Sequence, residues 1–422
     1  MQDWKSFTHF GALDWASDHH DVIILDSAGD KVGQLRFDDN AQGWIAYRAT
    51  TAQYPHLAMA VETRYGMLVE RMLDSGSAVY PINPKAAQRY RERHCSSGAK
   101  DDVRDAFTMA DALRTDGHLW KPLNPEDPLM VELRLLCRDE MALIAERTAL
   151  VLQLRAALHE FFPAALEAFE DWTQPSAWAF IEAFPTPQHL DAAGRRKWEK
   201  FLHANRLYRP DVQEKRLEIF ARAIQFCGSP GITAAKSMLA TARVKMLRAV
   251  ESQLKLFRER IEALFNQHPD NDIFGSLPGP GKKLAPRLLS EFGDDRTRFE
   301  SAEGLQGYCG SAPVTKRSGK FKTVSMRWAC NKYLRQTLHL WADLSRAKCP
   351  WAQIYYNEVR KRGKSHADAL RRLGHRWMNI LWRMWQDRTP YDPELHMKNQ
   401  IAHGSWVAAL LVPPTPSVTS AP

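Results

Sequence analysis

The sequence predicts an α/β domain followed by an all-α region within one chain. Three observations carry this reading. Over residues 8–82 short apolar runs alternate with turn residues and helical stretches. After about Asp116 the strand pattern stops, and two long segments, 133–159 and 234–266, then repeat apolar residues at helical spacing. At 422 residues, two or three domains are the default expectation.

In the first region, strands are expected over 9–14, 22–26 and 32–37, with Ser27-Ala28-Gly29-Asp30 turning between the last two. A helix over 41–51, a strand over 57–62, a helix over 65–73 and a strand over 78–82 follow. Three consecutive strands and then alternation predict a mixed sheet with helices packed on it. Functional groups gather beyond the carboxyl ends of strands in such sheets, where Asp14 and Glu62 fall. The next helix opens on Gly98-Ala99-Lys100-Asp101-Asp102-Val103-Arg104-Asp105-Ala106. Asp102 and Asp105 are three apart and share a face. A single strand-end acid is an ordinary cap, and acids in a first helical turn complement the macrodipole. Four carboxylates with one destination repel each other, and a divalent metal between them relieves that.

The net charge of +9 and a pI near 9.2 imply an anionic partner, nucleic acid before a membrane surface. No apolar run is long enough to span a bilayer, and Met1-Gln2-Asp3-Trp4-Lys5 has no apolar signal core, so a cytoplasmic protein is expected. Cys95, Cys137, Cys227, Cys309, Cys330 and Cys349 are scattered singly, which argues for free thiols and against a zinc site or a disulfide framework.

In the helical region, Leu136, Leu143, Leu150 and Ala157 lie on a broad apolar stripe. Residues 161–233 are helical in pieces broken by prolines, with no chemistry assigned. Leu247, Val250, Leu254, Phe257, Ile261 and Leu264 form a heptad seam, with Glu251 and Lys255 placed for i, i+4 support; packing within the chain and pairing between chains both fit it. Leu277-Pro278-Gly279-Pro280-Gly281-Lys282-Lys283-Leu284-Ala285 has the look of a helix-hairpin-helix turn that suits a phosphate, or of plain punctuation, and Pro286 departs from it. From Lys316 to Arg388 eighteen Lys and Arg face four acids, and six tryptophans are interleaved (Trp328, Trp341, Trp351, Trp377, Trp382, Trp385). Basic surface with aromatics suits nucleic acid, although Trp377 shares a helical face with Leu370, Leu373, Ile380, Leu381 and Met384 and reads as core.

Asp14, Glu62, Asp102 and Asp105, in the contexts Ala-Leu-Asp14-Trp-Ala, Ala-Val-Glu62-Thr and Asp102-Val-Arg-Asp105-Ala, resemble the DEDD tetrad of the insertion-sequence-110 family of transposases. Tyr80-Pro81-Ile82-Asn83-Pro84 also looks like that family, as does Gly310-Ser311-Ala312-Pro313-Val314-Thr315-Lys316-Arg317-Ser318-Gly319-Lys320, which matches its C-terminal transposase domain. Asp101 is an extra acid beside the tetrad, and the i, i+3 spacing to Asp105 favours Asp102. The tail over 391–422 carries no recognisable signal. The resemblance covers roughly Phe10 to Asp111 and Ile273 to Trp385 and implies an RNase H fold of RuvC type over 1–118, a helical coiled-coil linker over 119–270, which matches only in kind, and a mainly helical transposase domain over 271–390. It implies that Asp14, Glu62, Asp102 and Asp105 hold magnesium or manganese, and that Ser318, in a glycine-led loop before a basic helix, attacks DNA. Lys316, Arg317, Lys320 and Lys322, with Lys282 and Lys283 at the earlier turn, would hold phosphates. Donor and target DNA would be chosen by a bridge RNA, in a dimer or tetramer, in the nucleoid-associated cytoplasm of a bacterium. The rival expectations are a RuvC-like nuclease cutting branched DNA with metal-activated water, and a non-catalytic nucleic-acid scaffold.

Overall fold

The computed structural model describes residues 4–64, 66–94 and 102–411. The chain forms two compact units, Met1–Glu126 and Asp127–Pro422.

The first unit is built on a five-stranded sheet. Its strands are β1 (His9–Trp15), β2 (His19–Asp26), β3 (Lys31–Asp38), β4 (Leu57–Val61) and β5 (Ala78–Pro81), in the order β3-β2-β1-β4-β5. The first three pair antiparallel, and β1–β4 and β4–β5 are parallel. Helices α1 (Ala41–Thr51) and α2 (Met67–Asp74) and α3 (Pro84–His94) and α4 (Asp102–Asp116) complete it. Each strand position alternates between two cores. Leu13, Val22, Ile24, Met59 and Val61 pack with Trp44, Tyr47, Val69 and Met72 of α1 and α2, whereas Phe10, Ala12, Ile23, Ala58 and Ala60 pack with Ala87 of α3 and Ala106, Met109, Ala110 and Leu113 of α4. Covered on both faces, β4 is wholly buried, while β3 at the edge is largely exposed. Asn40 caps α1 through Gly43 N (2.9 Å), and Asn83, whose side chain accepts from Lys85 N (2.9 Å), sets Pro84 at the first position of α3. The Tyr80–Pro84 motif is thus the strand-to-helix turn that aims α3.

The second unit is helical except for one hairpin. Its two long helices are α5 (Pro128–Phe161) and α10 (Pro230–Gln267), with α6 (Pro163–Ala168), α7 (Pro175–Ala183), α8 (Pro187–Ala204) and α9 (Pro210–Ala221) between them. α5 and α10 run antiparallel: Met130 and Leu133 share a core with Ile261 and Leu264, and Leu154 and Leu158 share another with Ala240, Val244 and Leu247. The heptad seam therefore packs within the chain. The expected Glu251/Lys255 support gives way to pairs that bridge helices or follow α10, because Glu251 reaches Arg147 of α5 (2.7 Å) and Arg258 (3.5 Å) and Lys255 reaches Glu259 (3.8 Å). The proline-broken segment 161–233 forms an aromatic core of Phe161, Phe162, Trp172, Trp178, Phe180, Phe184 and Trp198. Each of its helices begins with a proline in the first turn, which explains the breaks.

The rest comprises α11 (Asn271–Gly275), α12 (Gly281–Phe292), α13 (Ala302–Tyr308), the hairpin β6 (Val314–Ser318) and β7 (Phe321–Ser325), then α14 (Lys332–Arg346), α15 (Pro350–Lys361), α16 (His366–Asp387), α17 (Pro393–Ala402) and α18 (Trp406–Leu411). Trp341, Trp351, Trp377 and Trp385 lie in one core with Leu288, Phe292, Leu338 and Leu373. Beside it sits a buried polar layer. Glu140, 2% exposed, accepts from Arg287 (2.7 Å) and Arg258 (2.9 Å), and Glu291 accepts from Arg138 through both oxygens (2.8 and 3.0 Å). Among the described residues the cysteines are free, and burial pushes the Cys137 thiol up to about 12. No helix of the described residues is long and apolar enough to cross a membrane.

Candidate active site

One end of the sheet gathers carboxylates. Leu13 pairs with Val61 in the parallel ladder, so Asp14 and Glu62 are the next residues on neighbouring chain segments. By alternation Asp14 belongs to the face of Ala12, beneath α4, and Glu62 is the first residue past the carboxyl end of β4. Across the antiparallel ladder Asp14 stands opposite Asp21, itself 2% exposed. Asp102 and Asp105 lie in the first turn of α4, and Asp105 is buried. Asp101 lies outside the described residues.

The sequence reading missed two members of this cluster, His19 and Asp21. His19 Nε2 lies 3.9 Å from Asp21 Oδ2 and 4.0 Å from Asp102 Oδ2. Among the described residues these three form the group whose ligand atoms all fall within 4.8 Å of one another. Asp18 holds the other ring nitrogen, Nδ1, at 2.9 Å, and that contact keeps the Asp18 carboxyl below its usual range. A carboxylate on one nitrogen of an imidazole whose other nitrogen faces acids is the arrangement that orients metal-binding histidines. Cationic groups already stand against these acids. Arg36 meets His19 Nε2 and lies 3.5 Å from Asp21 Oδ2, and Arg91 of α3 pairs with Asp105 at 2.9 Å. Oxygen donors and one imidazole are groups that a divalent cation takes as ligands, and an ion held by His19, Asp21 and Asp102 would replace the Arg36 guanidinium at His19 Nε2 and Asp21.

In the second unit Ser318 takes a different setting from the expected loop. It ends β6, and Ser318 pairs with Phe321 across the two-residue turn Gly319-Lys320. Gly319 has φ +54°, and Lys320 stays at negative φ, as a turn with glycine at its first central position requires. All of β7 and most of β6 are exposed. Among the described residues no side chain hydrogen-bonds the Ser318 hydroxyl. Lys316, Arg317, Lys320 and Lys322 decorate the same hairpin, and all are exposed. A second serine, Ser311, does meet a histidine: its Oγ lies 3.3 Å from His375 Nδ1, and burial holds that imidazole below its ordinary value. At 3% exposure, with Arg371 donating to its carbonyl (2.9 Å), Ser311 ties the base of the hairpin to α16.

The 277–285 turn is built as a close helix contact. Gly279 has φ +99°, and a Cβ there would stand 2.9 Å from the Ser345 nitrogen of α14. Trp341 Nε1 donates to Pro278 O (3.0 Å). Lys282 is exposed but pairs with Glu262, Lys283 is exposed, and Pro286 lies inside α12, beyond its first turn. Of the six interleaved tryptophans, four are buried and Trp382 is partly so, whereas Trp328 is 75% exposed.

Residues 12–163 match a family model described as a transposase, and residues 271–357 match one described as the transposase IS116/IS110/IS902 family. The chain is 33% identical over 405 residues to the mini-circle putative transposase for IS117 of Streptomyces coelicolor, covering 93% of this chain and 97% of that protein. It is 30% identical over 326 residues to the insertion element IS110 43.6 kDa protein of the same organism, covering 76% and 79%. The pilin gene-inverting protein of Moraxella bovis is 28% identical over 127 residues, covering 29% and 39%. The mixed sheet of the first unit is consistent with a RuvC-like domain. One relative is 33% identical across 93% of the chain, and the family models fall on both the carboxylate sheet and the hairpin region: the protein belongs to the IS110 family of transposases.

Proposed function

We propose that this chain cuts and rejoins DNA by transesterification, with Ser318 as the nucleophile and with Asp14, Glu62, Asp102 and Asp105 as the metal-holding acids. Family membership makes it an enzyme of DNA recombination, and the mechanism is the further step. The observation that carries the proposal is the convergence of Asp14, Glu62 and the first turn of α4 on one end of the sheet. Magnesium or manganese bound there would supply Lewis-acid stabilisation of charge on the phosphate oxygens. Ser318 Oγ would form a bond to phosphorus as one bridging P–O bond breaks. The hydroxyl proton passes to solvent or a carboxylate, and the departing sugar oxygen takes up a proton. The phosphoserine link conserves the ester, so rejoining needs no external energy. Lys316, Arg317, Lys320 and Lys322 would hold the phosphate, with Lys283 contributing at the earlier turn.

A serine hydroxyl with no base beside it needs help from elsewhere, and the carboxylate site is where that help would come from. The two sites would meet across protomers. A second, exposed seam on α10 supports an oligomer: Ile232, Leu239 and Met246 recur every seven residues with Leu256 beyond, at 45%, 38%, 46% and 54% exposure. Guidance by a bridge RNA rests on the family resemblance alone, and co-purification of a discrete RNA with the full chain tests it. The deciding experiment is Ser318→Ala, with Ser311→Ala as the control. The proposal expects no covalent protein–DNA adduct and no cleavage from the first, and an adduct from the second. Normal cleavage without Ser318 would favour a nuclease that activates water.

A further inference from the structure

We propose that Phe321 is the platform on which an unpaired base stacks, holding the DNA strand against Ser318; the second half of this statement rests on the nucleophile assignment above. Ser318 and Phe321 are directly opposed in the hairpin ladder, so their side chains leave the same face with Cβ atoms roughly 5 Å apart. Phe321 is 70% exposed, and among the described residues no other ring packs on it. An apolar ring held in water beside a polar turn gains nothing for the fold, because neither unit's core includes it.

Charge names the occupant. Residues 314–325 carry Lys316, Arg317, Lys320 and Lys322 and no acid, so the hairpin attracts a polyanion rather than an apolar protein surface. A two-stranded hairpin that buries almost nothing is marginal by itself and is completed by what binds it. Buried tryptophans leave few stacking surfaces in this region, Phe321 and Trp328 among them, and Phe321 alone shares the ladder with Ser318. A phenyl face is sequence-tolerant, since every base has a π-face; it would select an unstacked base, not a particular one.

The test uses the full-length protein and two twelve-residue single strands of equal charge, one of thymidine and one of abasic sites. Stacking predicts that the natural protein prefers the thymidine strand by about 5- to 150-fold, and that Phe321→Ala removes most of that preference while leaving the abasic affinity unchanged. Phe321→Trp restores the preference. An unchanged preference in Phe321→Ala overturns the proposal. Repeating the measurement in the Ser318→Ala background separates the two claims: a Phe321-dependent preference there stands even if Ser318 is not the nucleophile. With junction DNA, Phe321→Ala is expected to lower adduct yield at least tenfold and Phe321→Trp to recover it; full yield from Phe321→Ala would show that the stacked base does not serve Ser318.

Discussion

The carboxylate site and the serine hairpin are built in opposite ways. Asp21 and Asp105 are buried at a sheet end, between packed strands and a helix, and each already has a guanidinium against it. Ser318 stands on an exposed two-stranded ribbon whose cationic side chains reach into solvent. The contrast teaches that one cluster is set by folding, whereas the other would acquire its surroundings only from a bound partner. Bringing like charges together is costly and needs the surrounding fold to hold them, whereas a hydroxyl can stand in solvent at little cost, so in the proposed mechanism the acids and not the serine would depend on packed structure.

Four outcomes would sharpen or break this comparison. The largest effect is expected at the reacting groups: Ser318→Ala and Asp102→Asn should each bring strand cleavage down to background, read as product on a denaturing gel, with chelation of divalent metal matching Asp102→Asn. Next, His19→Ala or Asp21→Asn should weaken manganese binding by about 10- to 100-fold in calorimetry, as loss of metal-orienting groups does. Binding that is unchanged in both variants would confine the metal to the other acids. In folding, the second unit's core should dominate: Glu140→Ala strands two arginines and should cost about 3–5 kcal/mol in urea unfolding, and Lys322→Ala on the hairpin within about 0.5 kcal/mol. The smallest effect is acid sensitivity. Burial lowers the pKa values of His268, His339, His375 and His396 from their ordinary value near 6.5. The unfolded chain therefore binds more protons there, and stability should be fully present above pH ~6.5 and fall as pH drops through that value. Thermal melts at pH 7.5 and 5.5 check the direction.

Much of the first unit was legible because its central strands are short apolar runs that end in or beside acids. β2 was the exception. It begins at His19 and not Val22, since His19-His20-Asp21 looks like loop sequence although His20 and Asp21 are buried. That misplaced start hid Asp21 and His19 from the site. The hairpin was hidden for the opposite reason: with polar residues on both faces, Thr315 to Thr323 lacks the apolar alternation that marks a strand, and only Ser318-Gly319 hinted at its turn. Trp377 was readable as core because its helical neighbours were apolar, and it is fully buried. The aromatic on offer to a ligand, Phe321, carried no periodic signal. The outer seam of α10 is faint in the sequence because Ala235, Ala242, Ala249 and Gln253 dilute it.

The central claim, that the acid cluster at the sheet end and an exposed serine act as one site contributed by two protomers, is tested most directly by mixing two inactive proteins. Asp102→Asn keeps its serine, and Ser318→Ala keeps its acids. Each alone should form no adduct with junction DNA. Co-assembled from a mixed refolded or co-expressed pool, they should recover an adduct whose phosphopeptide maps to Ser318. A mixture that assembles and stays inactive, or an adduct that maps elsewhere, would contradict the account.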